Sequence, residues 1–386
     1  MAARAAGTLT SLVAFVTPHG FGHAARTAAL LVAVRRQRAD RGLPALDLHV
    51  VSSVPRWFFV QSGLEPFTHH DEVTDVGLVQ RTALREDLDA SVAALERFDP
   101  FDGARLAHWT ALLERVGCDL VFCDIAPAGL LAAHRAGLPS VLLESFTWPW
   151  IYRGTGDERL ERWADRLDPV IELADLYLQT APACEHRTSA LQVGPIARTP
   201  RHGGARTRER LGLGSDDGLV LVTMGGVPWE FGALREPLAQ ALTASGPNGR
   251  RRWLVIAGAA DTPTTIELGH RGGAVLLPHR SEFEHPDLVA AADAVCAKLG
   301  YSTIAEIAHC GTRFGYVPRP AFRESAVLEA WAREHLATQR IDPEILEAAD
   351  ARWLEAALEL LEIPTRPPLA GGTEAAARAV DGLLTG

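Results

Sequence analysis

The sequence predicts an α/β protein built from two Rossmann-like halves, and three observations carry that prediction. Apolar runs of strand length alternate with helical patterns along the chain, the mark of a mainly parallel sheet flanked by helices. The alternation stops in the Arg-, Gly- and Asp-rich stretch 201–217 and restarts at 219. The 386 residues also exceed what one hydrophobic core usually serves. The first domain is therefore expected over 1–193 and the second over 194–365, with a C-terminal helix in 366–386 packing back on the first.

In the first half, strands are expected at 12–17, 47–52, 120–123, 140–143 and 175–179, each an apolar run too short for a helix. Helices fall at 24–38, 102–116, 127–136 and 158–173, where apolar residues recur at helical spacing. The second half repeats the scheme with strands at 219–223, 253–257, 274–277, 294–297 and 314–317. The stretch 363–372, with three prolines and two glycines, breaks the pattern and frees a last helix at 373–384. No internal repeat is present.

A hydrophobic content of 47%, 22% charged residues and a net charge of −10 describe a globular chain and speak against nucleic-acid binding. The arginine-rich stretches 35–38 and 250–252 are expected as solvated helix ends or loop. Five cysteines without a CxxC pair read as buried thiols, neither disulfides nor zinc ligands. There is no signal-peptide layout and no apolar run near 18 residues, so a cytoplasmic location without a transmembrane segment is expected. Oligomeric state is left open.

Two places carry chemistry. After the first strand comes Pro18-His19-Gly20-Phe21-Gly22-His23, which puts His23 at a helix start near the carboxyl ends of parallel strands. This is not a GxGxxG fingerprint. Asp124 ends another strand, where a carboxylate can fix a histidine tautomer and support it as a base. The competing readings are structural: His23 as a helix cap, Asp124 as the cap before Pro127. His69-His70 reads as surface loop.

The second place is Lys298-Leu299-Gly300-Tyr301-Ser302-Thr303 with Glu306. Of 38 basic side chains, 37 are arginine and Lys298 is the one lysine, a compact ammonium where a planar guanidinium is not equivalent. Exposed N–H groups at a helix start, two hydroxyls and that charge suit a diphosphate. Glu306, one turn beyond Ser302, is placed to accept from a ribose diol. Against this, Ser302 can be a plain N-cap. Gly225-Gly226 follows another strand and supplies a second glycine turn.

Gly300-Tyr301-Ser302-Thr303 through Glu306, then Gly311-Thr312, Pro318-Arg319-Pro320 and Phe322-Arg323-Glu324, resemble the nucleotide-sugar signature of GT-B glycosyltransferases. The likeness is nearest to the glycosyltransferase-like domain of L-arabinokinase-type proteins. Asp124-Ile125-Ala126-Pro127, the segment 146–152 and Gly22-His23 resemble that group too, and the similarity spans 12–331. It implies a GT-B fold, two Rossmann-like domains facing across a cleft, and transfer from a nucleotide sugar, a UDP-sugar above all, to an acceptor hydroxyl. It further implies Lys298, Ser302 and Thr303 at the diphosphate, Glu306 at the ribose and Glu324 at the donor sugar. His23 and Asp124 would be the base dyad of an inverting displacement. Phe146 and Trp148, with His19 nearby, are read as the acceptor side, the competing reading being ordinary packing. Ser325 stands where a glutamine often follows the acidic residue, and no small-molecule kinase domain is expected in these 386 residues, so the resemblance does not imply arabinokinase activity. Asp87-Leu88-Asp89 has the look of a metal-binding triplet but lies in a helical stretch and reads as a solvated face. No metal or cofactor is expected, the nucleotide sugar being a co-substrate. A binding module without catalysis, or an epimerase or phosphorylase on the same fold, remains the alternative.

Overall fold

The computed structural model describes residues 10–82, 85–224, 234–242, 249–347 and 351–385. The chain divides into two units: Met1–Arg81, Glu86–Ala197 and Gly371–Gly386 form one, Thr82–Arg85 and Arg198–Ala370 the other.

The strands of the first unit's main sheet are β1 (Thr10–Val16), β2 (Leu46–Val51) and β3 (Thr68–His70). After a two-stranded sheet of β4 (Gln80–Thr82) and β5 (Arg85–Glu86) come β6 (Leu120–Asp124), β7 (Ser140–Glu144), β8 (Leu176–Thr180) and β9 (Leu191–Val193). The main sheet runs β3-β2-β1-β6-β7-β8-β9, parallel throughout. Between the strands run α1 (Phe21–Asp40), α2 (Arg56–Gln61), α3 (Leu88–Phe98), α4 (Gly103–Arg115), α5 (Pro127–Ala136), α6 (Trp148–Arg153) and α7 (Glu158–Ile171). Alternate residues of β1 serve opposite faces. Leu12, Ala14 and Val16 pack with Ala24, Ala28 and Leu31 of α1, while Val13 and Phe15 pack with Trp109 of α4 and with α5.

The second unit opens with α8 (Gly204–Arg210), β10 (Gly218–Thr223), α9 (Arg235–Ala241), β11 (Arg252–Ala257), β12 (Thr264–Glu267) and β13 (Gly272–Leu277). It continues through α10 (His285–Ala291), β14 (Ala294–Lys298), α11 (Tyr301–Cys310), β15 (Arg313–Val317), α12 (Ser325–His335), β16 (Thr338–Arg340), α13 (Pro343–Glu347) and α14 (Ala351–Glu359). Its order is β12-β13-β11-β10-β14-β15-β16, and only β12 is antiparallel. Leu219 and Leu221 face one core, Val220 and Val222 the other.

The last helix, α15 (Thr373–Thr385), belongs to the first unit and packs on α1 through fully buried Ala376, Ala377 and Val380. Asp381, also fully buried, takes the guanidinium of Arg38 at 2.5 Å and that of Arg41. The expectation of a solvated arginine stretch at 35–38 is thereby corrected for Arg38, which is 2% exposed. The surface-loop reading of His69-His70 is corrected as well. These residues form β3, and His70 lies 3.1 Å from His49 Nδ1 on the neighbouring strand. Asp87 caps α3 by accepting from Ala90 N at 3.0 Å, and Asp89 pairs with exposed Arg159. The five cysteines are free thiols.

Candidate functional site

A parallel sheet whose strand order reverses leaves a crevice at the carboxyl ends of the two strands that flank the reversal. In the first sheet those strands are β1 and β6, and in the second β10 and β14. His19, His23 and Asp124 lie at the first of these points, and Lys298, Gly300, Ser302 and Thr303 at the second.

At the first, β1 runs into Gly20, whose φ of 78° is in the left-handed region that glycine adopts without strain. Helix α1 then begins at Phe21 with no side-chain cap, so His23 is not the cap that the competing reading offered. His23 Nδ1 lies 2.8 Å from Asp124 Oδ1, and the carboxylate is the acceptor, so Nδ1 carries the proton and Nε2 keeps its lone pair. Asp124 caps no helix either: the N-cap of α5 is Ala126, without a side-chain bond. The turn after Asp124 is strained. Ile125, a β-branched residue, sits at φ 59°, a conformation that costs about 1–3 kcal/mol and persists only where its surroundings impose it. Its N–H is held by the Leu143 carbonyl at 3.1 Å.

Three residues that the sequence reading passed over complete this cluster. Arg26 Nε donates to Asp124 Oδ2 at 2.8 Å and Nη2 to Oδ1 at 2.6 Å, a bidentate pair. Thr27 Oγ1 donates to Asp124 Oδ2 at 2.8 Å. His23, Arg26 and Thr27 lie at i, i+3 and i+4 of one helix, so they share a face, and that spacing was the available signal. Asp75 accepts from Thr17 Oγ1 at 2.6 Å and from Trp148 Nε1 at 2.9 Å.

Burial sets the charges. It lowers the pKa of His23, opposed by Asp124 and assisted by Arg26, so the ring is neutral at pH 7. Burial alone would raise Asp124, but the charges of Arg26 and His23 and their hydrogen bonds hold it at about 2. Asp75 is pushed up to about 7 by burial, against its two hydrogen bonds and with the repulsion of Asp124. Glu144, at the end of β7, is likewise pushed up to about 7 by burial.

The aromatic residues sit beside this cluster. Phe146 is edge-on to His23 at 5.8 Å, and His19 is edge-on to Trp148 at 5.3 Å. Gly77 passes so close that a Cβ there would stand 2.4 Å from His19 Nδ1 and 2.5 Å from Trp148 Cη2. Trp148 is only 2% exposed, with Tyr152 stacked on it and Phe146 at its edge. Of His19, Phe146 and Trp148, only His19 is half-buried, and Trp148 and Phe146 pack as ordinary buried aromatics.

At the second reversal, Lys298 ends β14 opposite Val317 of β15, and Gly300 is the N-cap of α11 with no side-chain cap bond. Ser302 and Thr303 are half-buried residues in the first turn of α11, so Ser302 is not the cap. The first N–H groups of a helix lack intrahelical partners. Burial lowers the pKa of Lys298 to about 7, with the charge of Arg319 adding to the effect. Glu324 Oε1 is 4.0 Å from Arg319 Nη1 in a buried setting that raises its pKa. Glu306 is 2% exposed, accepts from Arg198 Nε at 2.8 Å and lies 2.5 Å from His285 Nδ1. Both oxygens thus have partners within the second unit, Arg198 on one and His285 on the other. Gly225 and Gly226 lie outside the described residues. Among the described residues no group of three or more His, Cys, Asp or Glu is arranged to hold a metal, and no helix is long and apolar enough to cross a membrane.

No protein-family model matches the chain. Over 333 residues it is 27% identical to L-arabinokinase of Arabidopsis thaliana, a match covering 81% of this chain and 29% of that protein. Among solved structures, the glycotransferase of kitacinnamycin matches with TM-score 0.60 and 15% identity over 98% of this chain and 94% of that one. A UDP-glucosyltransferase from Polygonum tinctorium, described as capable of glucosylating indoxyl, matches with TM-score 0.60 and 12% identity over 99% and 100% of the two chains. The fold is GT-B.

Proposed function

We propose that this protein transfers a sugar from a nucleotide-linked donor, a UDP-sugar in the first instance, to an acceptor hydroxyl with inversion at the anomeric carbon. The observation that carries the reading is the His23–Asp124 pair at the strand-order reversal of the first sheet, with Nδ1 tied to the carboxylate at 2.8 Å. His23 Nε2 takes the acceptor proton, and the acceptor oxygen bonds to the anomeric carbon as the bond to the diphosphate breaks. The electron pair leaves on the diphosphate, whose charge is met by Lys298 and by the helix start at Ser302 and Thr303. Glu324 is assigned to the donor sugar. The neutral ring that burial produces supports the base role, because only the unprotonated form accepts a proton.

The test pairs binding with chemistry. Nucleotide sugars are screened by thermal shift, since a ligand that binds only the folded state raises its stability by mass action, and the stabilising donor is then offered with acceptor panels. His23→Ala is expected to keep donor stabilisation and lose about 10²–10⁴ in rate. Donor binding with neither transfer nor donor hydrolysis would replace this reading with a binding module. That second reading is favoured by one observation, that the matched segment is 29% of a longer relative.

A further inference from the structure

His23 does not have Asp124 to itself. Arg26, 4% exposed, spends two of its donors on the same carboxylate and a third on Ser145 Oγ at 2.9 Å. Its Nη2 comes within 3.2 Å of His23 Nδ1. Both are donors, so each aims its proton at Asp124 Oδ1. A carboxylate that faces a histidine alone makes the ring a stronger base and favours the imidazolium. One that also carries a bidentate guanidinium is already compensated, and its lone pairs are fixed in direction.

We propose that Arg26 is a positioning residue of this site, one that locks the orientation of Asp124 and diverts its charge from His23, so that the ring keeps its tautomer without being held as imidazolium. The inference rests on the transfer reading for its kinetic part only. Of the groups that face the pair, Asp124 comes from β6, Arg26 from the helix of His23 itself, Asp75 from the segment before β4, and Glu144 from the end of β7. Cys123, next to Asp124 on β6, also bears on the pair and is kept a neutral thiol by burial. Burial pushes Asp75 and Glu144 up to about 7, so below neutrality Arg26 and Asp124 carry the fixed charges.

The experiment is a ring-carbon NMR titration of His23 in the whole protein without ligand, the resonance assigned by its loss in His23→Gln. In Arg26→Gln the full charge of Asp124 falls on His23, and the midpoint is expected to rise by about one unit or more. An unchanged or lowered midpoint in the folded variant would overturn the proposal. Arg26→Lys, which keeps a point charge without the fork, is expected to leave the midpoint within about half a unit of wild type. With the donor identified above, it is expected to lower kcat about tenfold to a hundredfold with donor KM unchanged. Wild-type kcat in Arg26→Lys would count against the fork, and a midpoint raised by about one unit or more in that variant would count against shielding of His23 by the charge alone; both can be read even if Arg26→Gln failed to fold. Absence of sugar transfer in wild type would remove the proposed function, while the titration would still decide what Arg26 does to His23.

Discussion

Asp75 is a carboxyl in a place that disfavours its charge, and the sign of its effect on stability follows. Its folded pKa of about 7 exceeds the ordinary 3.8, so the folded state holds a proton that the unfolded state gives up. Stability tied to Asp75 therefore falls as pH rises from about 4 to about 7. Asp75→Asn keeps an acceptor for Trp148 Nε1 and removes the charge. It is expected to melt above wild type at pH 8, with the difference closing at pH 4; equal differences at both pH values would show that Asp75 is not the titrating group. How much of this site was legible in the sequence depends on what each residue depends on. His23 and Asp124 could be placed because strand ends in a parallel sheet are predictable positions. Arg26 had only its shared helix face with His23 to mark it, and one arginine among 37 is not singled out by that until the partner across 98 residues of chain is known. Asp75 lies in a stretch with no periodicity, and its partners Thr17 and Trp148 come together only through the tertiary fold. For Glu306, helix spacing gives a direction along the chain but does not reveal that Arg198 and His285 arrive on that side.

At the level of elements, the central strands were legible because both of their faces are buried and they read as continuous apolar runs. The edge strands were not. Thr68–His70, Leu191–Val193, Thr264–Glu267 and Thr338–Arg340 are three or four residues long and all but Leu191–Val193 are mainly polar, so they carry no apolar run to mark them. The terminal helix α15 offers a prediction of its own. The Arg38–Asp381 pair is buried on both sides, at 3% and 0% side-chain exposure, and removing one partner of such a pair costs about 3–5 kcal/mol because the other is left uncompensated. Asp381→Ala is expected to destabilise the first unit by that amount in urea unfolding and to expose α15 to proteolysis. The double change of Arg38 and Asp381 to apolar residues is expected to recover most of it. A loss below about 1 kcal/mol in the single variant would show that the apolar contacts of Ala376, Ala377 and Val380 hold the helix alone.

Across the whole molecule the two sheets repeat one plan, a strand-order reversal with polar groups at the carboxyl ends, but Asp75 in the first and Lys298 in the second pull in opposite directions with pH. Lys298 has a folded pKa of about 7 against the ordinary 10.5, so its contribution to stability grows as pH rises between those values. Lys298→Met is expected to melt above wild type at pH 6, with the gap closing toward pH 10, and to bind nucleotide sugars about tenfold or more weakly. Stabilisation without loss of binding would remove the lysine from the anion site. The same residue has a use in the laboratory. It is the one side-chain amine in 386 residues, half-buried, and with a pKa of about 7 a large fraction of it is an unprotonated nucleophile at neutral pH. Amine-directed acylation should therefore add a single side-chain mass increment, at neutral pH where ordinary lysines stay protonated. Occupancy of the proposed donor site can then be read, ligand by ligand, as protection of that one increment in a mass spectrum.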